Sequence, residues 1–349
     1  LWMCTHSKGL EKVTFRTDRF RLKVPVNHSY ESLSNEVRAL CEDKDGNMWV
    51  GLKDGMLRVY NRHREEIGYL TEAGTVSHSG KPLFGNTYFV MQDSHNNLWI
   101  ATKGAGVVKA EPLPGTLRYR LTRYRYSADD VYSLSDDNVY CLYEDHRGRI
   151  WVATFANGIS YLTRNADGKE VFISHRNNLK GFPIKYCSKV RCITGDADGH
   201  IWIGTTVGLL MVDDGFDRPE DARFYHYLRA PEKANALSNN DIHWVKPTRE
   251  GELYVATFGG GLNQLVDLNA EGQARFKAYT VRDGLPSDIL LSIQEDKKGQ
   301  LWISTENGLS KFTPGLGRFE NFQNKYSNSS IRFSEAASAY ASDGNILFG

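Results

Sequence analysis

Apolar residues in this chain fall in short runs of four to six, broken by polar turns, and the runs return together about every 50 residues. The unit is clearest over residues 139–162. Val-Tyr-Cys-Leu-Tyr-Glu-Asp is followed by the turn His-Arg-Gly-Arg, the run Ile-Trp-Val-Ala-Thr, a second turn Phe-Ala-Asn-Gly, and the run Ile-Ser-Tyr-Leu. No stretch shows the 3.6-residue periodicity of an amphipathic helix, so the unit reads as strands joined by tight turns.

The anchor of the middle run recurs at Trp2, Trp49, Trp99, Trp151, Trp202, Tyr254 and Trp302, and weakly at Leu347, in steps of 45 to 52 residues. Six of the seven tryptophans stand there, so they belong to a repeated frame. Three residues earlier comes Gly, or Asn96, where a turn needs positive φ. Six residues before the anchor stand Asp43, Asp93, Asp145, Asp196 and Asp296, placed to accept backbone N–H groups and set the turn. Thr248 and Ala341 depart from this. A further Gly follows the anchor by six or seven residues and opens a third strand. A variable aromatic run, such as Phe224-Tyr225-His226-Tyr227, supplies a fourth.

Four antiparallel strands per repeat predict the blade of an all-β β-propeller. A helical solenoid is excluded by the pattern, and a parallel β-helix by the period. Seven inner strands are predicted, starting near Val37, Tyr88, Val139, Val190, Ile242, Leu290 and Phe333. The expectation is one propeller over residues 1–349 with seven four-stranded blades, eight being the runner-up count. Residues 1–25 and 331–349 are expected to be incomplete terminal blades, either meeting in the closing one or leaving one end over.

The remaining chemistry is mostly negative. A net charge of +1 offers no general field for nucleic acid or an anionic membrane, and no apolar run reaches membrane-spanning length. The first residues, Leu-Trp-Met-Cys-Thr, resemble neither a signal peptide nor an initiator segment, so the chain is expected to be a piece of a longer protein. Cys4, Cys41, Cys141, Cys187 and Cys192 form no metal-type spacing, and Cys141 and Cys192 occupy one strand position in two repeats, as buried thiols would. The Asp-x-Asp-Gly turns lack the twelfth-position carboxylate of a calcium loop. The Arg118–Tyr126 run of alternating Arg and Tyr reads as a solvated outer strand, and Phe258-Gly-Gly-Gly261 as a strand-to-strand turn with no helix to hold phosphate. No cofactor, metal or catalytic residue is predicted.

The full pattern, seen in Asp196-Ala-Asp-Gly-His-Ile-Trp-Ile-Gly-Thr-Thr-Val-Gly-Leu209 and Asp296-Lys-Lys-Gly-Gln-Leu-Trp-Ile-Ser-Thr-Glu-Asn-Gly-Leu309, resembles the two-component regulator propeller repeat. Lead-ins such as Leu134-Ser135-Asp136 and Leu237-Ser238-Asn239 strengthen the resemblance. It implies the periplasmic sensor region of a hybrid histidine kinase in the inner membrane, which responds to glycan breakdown products and regulates transcription of their utilisation genes. It further implies that these residues are the second, membrane-proximal propeller, with a neighbouring propeller and an immunoglobulin-like domain of the same chain as partners, a homodimeric receptor, and a kinase outside these residues. A polysaccharide hydrolase or lyase, and a purely structural propeller with its ligand held by a neighbour, are the alternatives.

The informative departures from the frame come eleven residues before each anchor: Arg38, Tyr88, Tyr140, Arg191, His243, Leu291 and Ala336. Five are polar or aromatic within otherwise apolar strands. In a propeller they converge at one mouth of the central channel, where rings can stack on sugars and Arg can grip a carboxylate or sulfate. Turn residues Lys53, Asp54, Lys103, Phe155, Asn157, Phe258 and Glu306 are expected to flank that mouth. The candidate oligosaccharide-binding set is Arg38, Tyr88, Tyr140, Arg191, His243, Phe155, Asn157 and Phe258. The competing reading is that these residues satisfy buried backbone or line a water-filled channel.

Overall fold

The middle strand of each repeat is buried along its length, as in Ile150–Thr154, because both of its faces meet neighbouring repeats. A computed structural model describes residues 2–5, 9–12, 20–21, 35–233, 235–322 and 332–349. Each repeat is a meandering antiparallel sheet. In the third, Val139–Glu144 lies innermost, followed outward by Ile150–Thr154, Ile159–Arg164 and Glu170–Ser174. Equivalent sheets cover residues 86–124, 190–227, 242–279 and 290–322, and the first sheet, residues 37–77, carries a short fifth strand, Val76–Ser77. Successive innermost strands pack against one another around a central channel. The Arg/Tyr-rich segment Tyr119–Tyr124 is the outer strand of the second sheet, and residues 258–261 turn between two strands.

Among the described residues six blades are present, which corrects the expected seven and the alternative eight. The chain's last repeat yields only two strands, Ser338–Tyr340 and Ile346–Phe348, paired with each other. This hairpin sits between the innermost strands of the sixth and first blades. Outer strands for it were expected from residues 1–25, but Trp2–Thr5 and Gly9–Lys12 form a separate two-stranded sheet. The rest of that expectation, apart from Phe20 and Arg21, and the lead-in Leu33-Ser34 lie outside the described residues. Phe20 packs on Trp302 and Phe322 of the sixth blade. Counting motifs over-counted blades because a hairpin motif can recur without outer strands to complete a sheet. Polar contacts tie the end hairpin to the first blade: Arg64 bridges Glu42 and Asp343, and Glu42 accepts the Ser342 N–H.

The anchors are the largest buried side chains: Trp49, Trp99, Trp151, Trp202 and Tyr254 are each at most 2% exposed. Burial of so large a ring contributes about 5 kcal/mol before entropy is counted. Their role is polar as well. Each indole Nε1 donates to the Asp six residues earlier, at 2.7–3.0 Å. The other carboxylate oxygen accepts two backbone N–H groups of the turn, as Asp93 does from His95 and Asn97. In the fifth blade both partners change: Thr248 replaces Asp, and Tyr254 replaces Trp and bonds Glu252 instead. The glycine opening each third strand has its own cause. A Cβ on Gly106 or Gly261 would stand 2.1 Å from the carbonyl oxygen of Tyr124 or Tyr279 on the fourth strand, and both have positive φ.

Candidate functional site

Every complete blade breaks register at one place on its innermost strand. Pairing skips from Val37 to Ala39, Thr87 to Phe89, Val139 to Cys141, Val190 to Cys192, Ile242 to Trp244, and Leu290 to Ser292. The residues passed over are Arg38, Tyr88, Tyr140, Arg191, His243 and Leu291. A β-bulge leaves its extra residue unpaired and re-aims the side chain. The structure thus supplies the mechanism for the sequence pattern: six bulges turn six variable side chains toward one mouth of the channel. Ala336 takes the corresponding place in the end hairpin, with φ +60° and its N–H donated to the Leu291 carbonyl.

These side chains form a continuous belt. Arg38 pairs with Glu36, which also accepts from Lys53 at 2.8 Å. The Arg38 guanidinium lies 5.7 Å from the Tyr88 ring centroid, and Lys103 Nζ approaches the same ring at 5.7 Å. Tyr88 meets Tyr140 at 4.8 Å, and Tyr140 stacks on Phe155 at 4.5 Å with 12° between the planes. Arg191 and Lys189 lie 5.3 and 5.8 Å from the Phe155 ring. Arg191 then donates to both oxygens of Asp241, at 2.9 and 3.3 Å, and through Nη1 to Glu335 at 2.8 Å. His243 Nε2 is 3.9 Å from Glu335, and its ring lies 5.1 Å from Phe258. Seven of the eight candidates are therefore brought together. Asn157 is set apart, donating to Asp136 of its own lead-in and receiving no belt contact. Of the other turn residues, Asp54 accepts from Met56 within its own turn.

The belt has two electrostatic halves. On one side Arg191 is fully engaged, so it is not the open anion clamp the sequence suggested. Burial works against its charge, yet the bonds to Asp241 and the nearby Glu335 hold its pKa above the usual value. His243 is 2% exposed with neither ring nitrogen in a hydrogen bond. Burial pushes its pKa down, so the imidazole is neutral at pH 7. On the other side lie the three rings, with exposed Lys103 and Lys189 at their edges. No carboxylate among the described residues pairs with either lysine. Burial pushes the Tyr140 phenol up to about 12, with Tyr88 and Glu335 adding to it, so it stays protonated.

Sequence reasoning missed Glu36, Lys189, Asp241 and Glu335. The first, second and third stand two residues before a bulge residue, on the same side of an extended strand, so a period-two reading would have found them. Glu335 carried no such signal, because its role depends on where the end hairpin docks. Asp196, Asp198 and His200 converge elsewhere. His200 bonds Asp196, as Asn47 and Asn97 bond the matching Asp in other blades, so that cluster belongs to the frame. Grooves of about 370 and 320 Å³ lie at the outer edge of the third blade and beside the Asp turns of the first two, away from the mouth.

Comparison with known proteins places the repeats. The family described as two component regulator propeller matches residues 31–54, 133–156, 187–206 and 284–307. A segment of 71 residues is 28% identical to histidine kinase P4 of Formosa agariphila, covering 20% of this chain and 5% of that protein. Among solved structures, virginiamycin B lyase from Staphylococcus aureus aligns over 90% of this chain and 91% of its own at 15% identity, TM-score 0.62. PorZ, a surface component of the type-IX secretion system of Porphyromonas gingivalis, aligns over 90% of this chain and 46% of its own at 14% identity, TM-score 0.62. At these identities both speak to the fold alone. An extracellular domain of a hybrid two component system from B. thetaiotaomicron aligns over 90% of this chain at 21% identity, but its TM-score of 0.48 adds no weight. The chain spans 49% of that domain, about half its length. The anchor and turn residues of four repeats fall inside the matched segments, so this chain carries repeats of the two-component regulator propeller type in those four stretches.

Proposed function

We propose that this propeller is a sensory module of a hybrid two-component histidine kinase and binds a glycan breakdown product at the channel mouth. The observation that carries the reading is the Tyr88–Tyr140–Phe155 ring series, flanked by exposed lysines, with Tyr88 and Tyr140 on bulges that serve no pairing role and Phe155 on the adjoining turn. Sugar rings present C–H faces to aromatic planes and hydroxyl groups to cations, so this surface suits an oligosaccharide. The match to histidine kinase P4 supports the signalling context. In this reading the propeller is the second of its sensor region, on the periplasmic side of the inner membrane, between a neighbouring propeller and an immunoglobulin-like domain. The receptor is a homodimer whose kinase lies outside these residues and controls glycan-utilisation genes. No helix among the described residues is long and apolar enough to cross a membrane. A ligand would act by binding one receptor arrangement better than another, since only differential affinity shifts an equilibrium.

Titration calorimetry with neutral and acidic oligosaccharides tests this. Binding is expected to this chain, and Tyr140→Ala is expected to weaken it at least tenfold, roughly the loss of one stacking contact, with unchanged thermal unfolding. Undiminished binding by Tyr140→Ala would remove the mouth as the site. Binding seen only when a neighbouring propeller is present would move the site there.

A further inference from the structure

The end hairpin places one side chain where none of its own strands requires it. Glu335 precedes a hairpin lodged between the sixth and first blades, yet its carboxylate reaches Arg191 of the fourth blade at 2.8 Å and approaches His243 of the fifth at 3.9 Å. It therefore spans the mouth. The carboxylate is partly exposed, 41% for the side chain, while Arg191 beneath it is held by Asp241 whether or not Glu335 is present. Such a group can leave without stranding a buried charge. On leaving, it would expose a guanidinium N–H beside the Phe155 ring and the unpartnered Nε2 of His243 beside Phe258.

The segment bearing Glu335 is also tied to the last residue. Ser334 donates its N–H to the Gly349 carbonyl at 2.6 Å, and Gly349 donates to Ala337 at 2.8 Å. A movement of Glu335 is thereby transmitted to residue 349 through two backbone hydrogen bonds.

Resting on the reading of the mouth as a ligand site, we propose that its ligand carries an anionic group, a carboxylate or sulfate, and that Glu335 is an internal stand-in for that group on Arg191. The ligand anion replaces the Glu335 carboxylate, and the freed 334–337 segment loosens its hold on Gly349. Charge favours this ligand class. Lys189, which has no acidic partner among the described residues, lies over the same Phe155 ring as Arg191, so an anion on Arg191 has a second cation nearby. No bond is made or broken; one ion pair exchanges for another.

The test compares wild type with Glu335→Gln, which keeps size and removes charge. The probes are digalacturonate, a sulfated disaccharide, and a neutral galactobiose, measured by calorimetry. Glu335→Gln is expected to bind at least one anionic probe about tenfold more tightly, as expected when one charge-assisted competitor is lost. Galactobiose affinity should not change. Which anionic probe gains affinity distinguishes carboxylate from sulfate. Amide hydrogen exchange supplies a second readout: the anionic probe should speed exchange at Ser334 and Gly349 in wild type, and Glu335→Gln should show faster exchange without ligand. Unchanged or weaker anion binding by the variant, or a failure of both proteins to bind either anionic probe, overturns the inference. In either event, galactobiose binding that Tyr140→Ala abolishes leaves the mouth as a glycan site. Loss of both would reject the two readings together.

Discussion

The pairing of anchor Trp with turn Asp makes a quantitative prediction in the second blade, where no charged side chain bonds the Asp. Asp93 is 4% exposed and accepts four hydrogen bonds: from Trp99 Nε1 and Asn97 Nδ2 on one oxygen, both at 2.8 Å, and from the His95 and Asn97 backbone on the other. Asp93→Ala leaves the indole N–H of Trp99, itself 2% exposed, without an acceptor, at a cost of about 1–3 kcal/mol. The turn N–H groups can turn to water, so their loss adds about 1 kcal/mol each at most. Relief of the carboxylate's own burial offsets part of this, and a net loss near 3 kcal/mol is expected. Trp99→Phe removes the donor and some packing, leaving Asp93 three of its bonds. In Asp93→Ala/Trp99→Phe neither the stranded donor nor the bond exists. The double variant should therefore be about 1–2 kcal/mol more stable than the sum of the single losses predicts. Urea unfolding followed by far-UV circular dichroism gives the four stabilities, provided each variant shows a single transition. Losses that add within about 0.5 kcal/mol would refute the coupling and reduce the tryptophan to packing alone. The fifth blade is a natural form of the same experiment, since Thr248 and Tyr254 depart together.

Further outcomes follow from other features. Gly261→Ala should destabilise by at least about 2 kcal/mol, because a positive φ and a carbonyl 2.1 Å from the new Cβ act together; a smaller loss in urea unfolding would show that the fourth strand gives way. The Asp196–His200 contact gives a pH dependence. The bond to Asp196 raises the His200 pKa above 6.5, so its stabilisation is complete below pH 6.5 and is lost as pH rises through the raised value. For Asp196, burial raises the pKa, but bonds from His200 and Trp202 outweigh it, so its contribution holds above the ordinary 3.8 and is lost as pH falls through the lowered value. His200→Asn, matching Asn47 and Asn97, should flatten the melting temperature against pH above 6.5, and an unchanged slope would assign that dependence elsewhere. Burial pushes the Cys141 thiol up to about 12 and raises that of Cys192, so neither should be alkylated at pH 8 before unfolding, as peptide mapping would show.

Much of the frame was legible in the sequence because it repeats. Trp anchors, Asp turns and glycines are each fixed by local geometry, and five or more copies expose a local rule. Blade number was less legible. It depends on which strand ends pair across the chain, and nothing in the run from Ser338 to Phe348 says that its hairpin stays unaccompanied. The mouth was half legible. Departure from an apolar pattern marked Arg38, Tyr88, Tyr140, Arg191 and His243, though the bulge behind it appears only in the pairing register. Whether an Arg there is free or engaged was hidden. Arg38 and Arg191 look alike in sequence, but Arg191 is held by residues 50 and 144 positions away.

A repeating fold can vary only where a change breaks no repeated contact, and the bulge is such a place. The residue after it resumes the ladder, so Arg, Tyr, His or Leu can occupy the bulge without altering the strand pair. The next residue inward is under a different constraint, since it faces the channel from within the register. There Phe89 of the second blade and Trp244 of the fifth meet across the axis, with ring centroids 6.3 Å apart. This ring contact joins opposite blades one residue past the bulge on each. A ligand at the proposed site would meet the bulge side chains and the Glu335 carboxylate first. In the proposed reading, recognition on this surface would be set by the unpaired positions and by the hairpin that reaches over them.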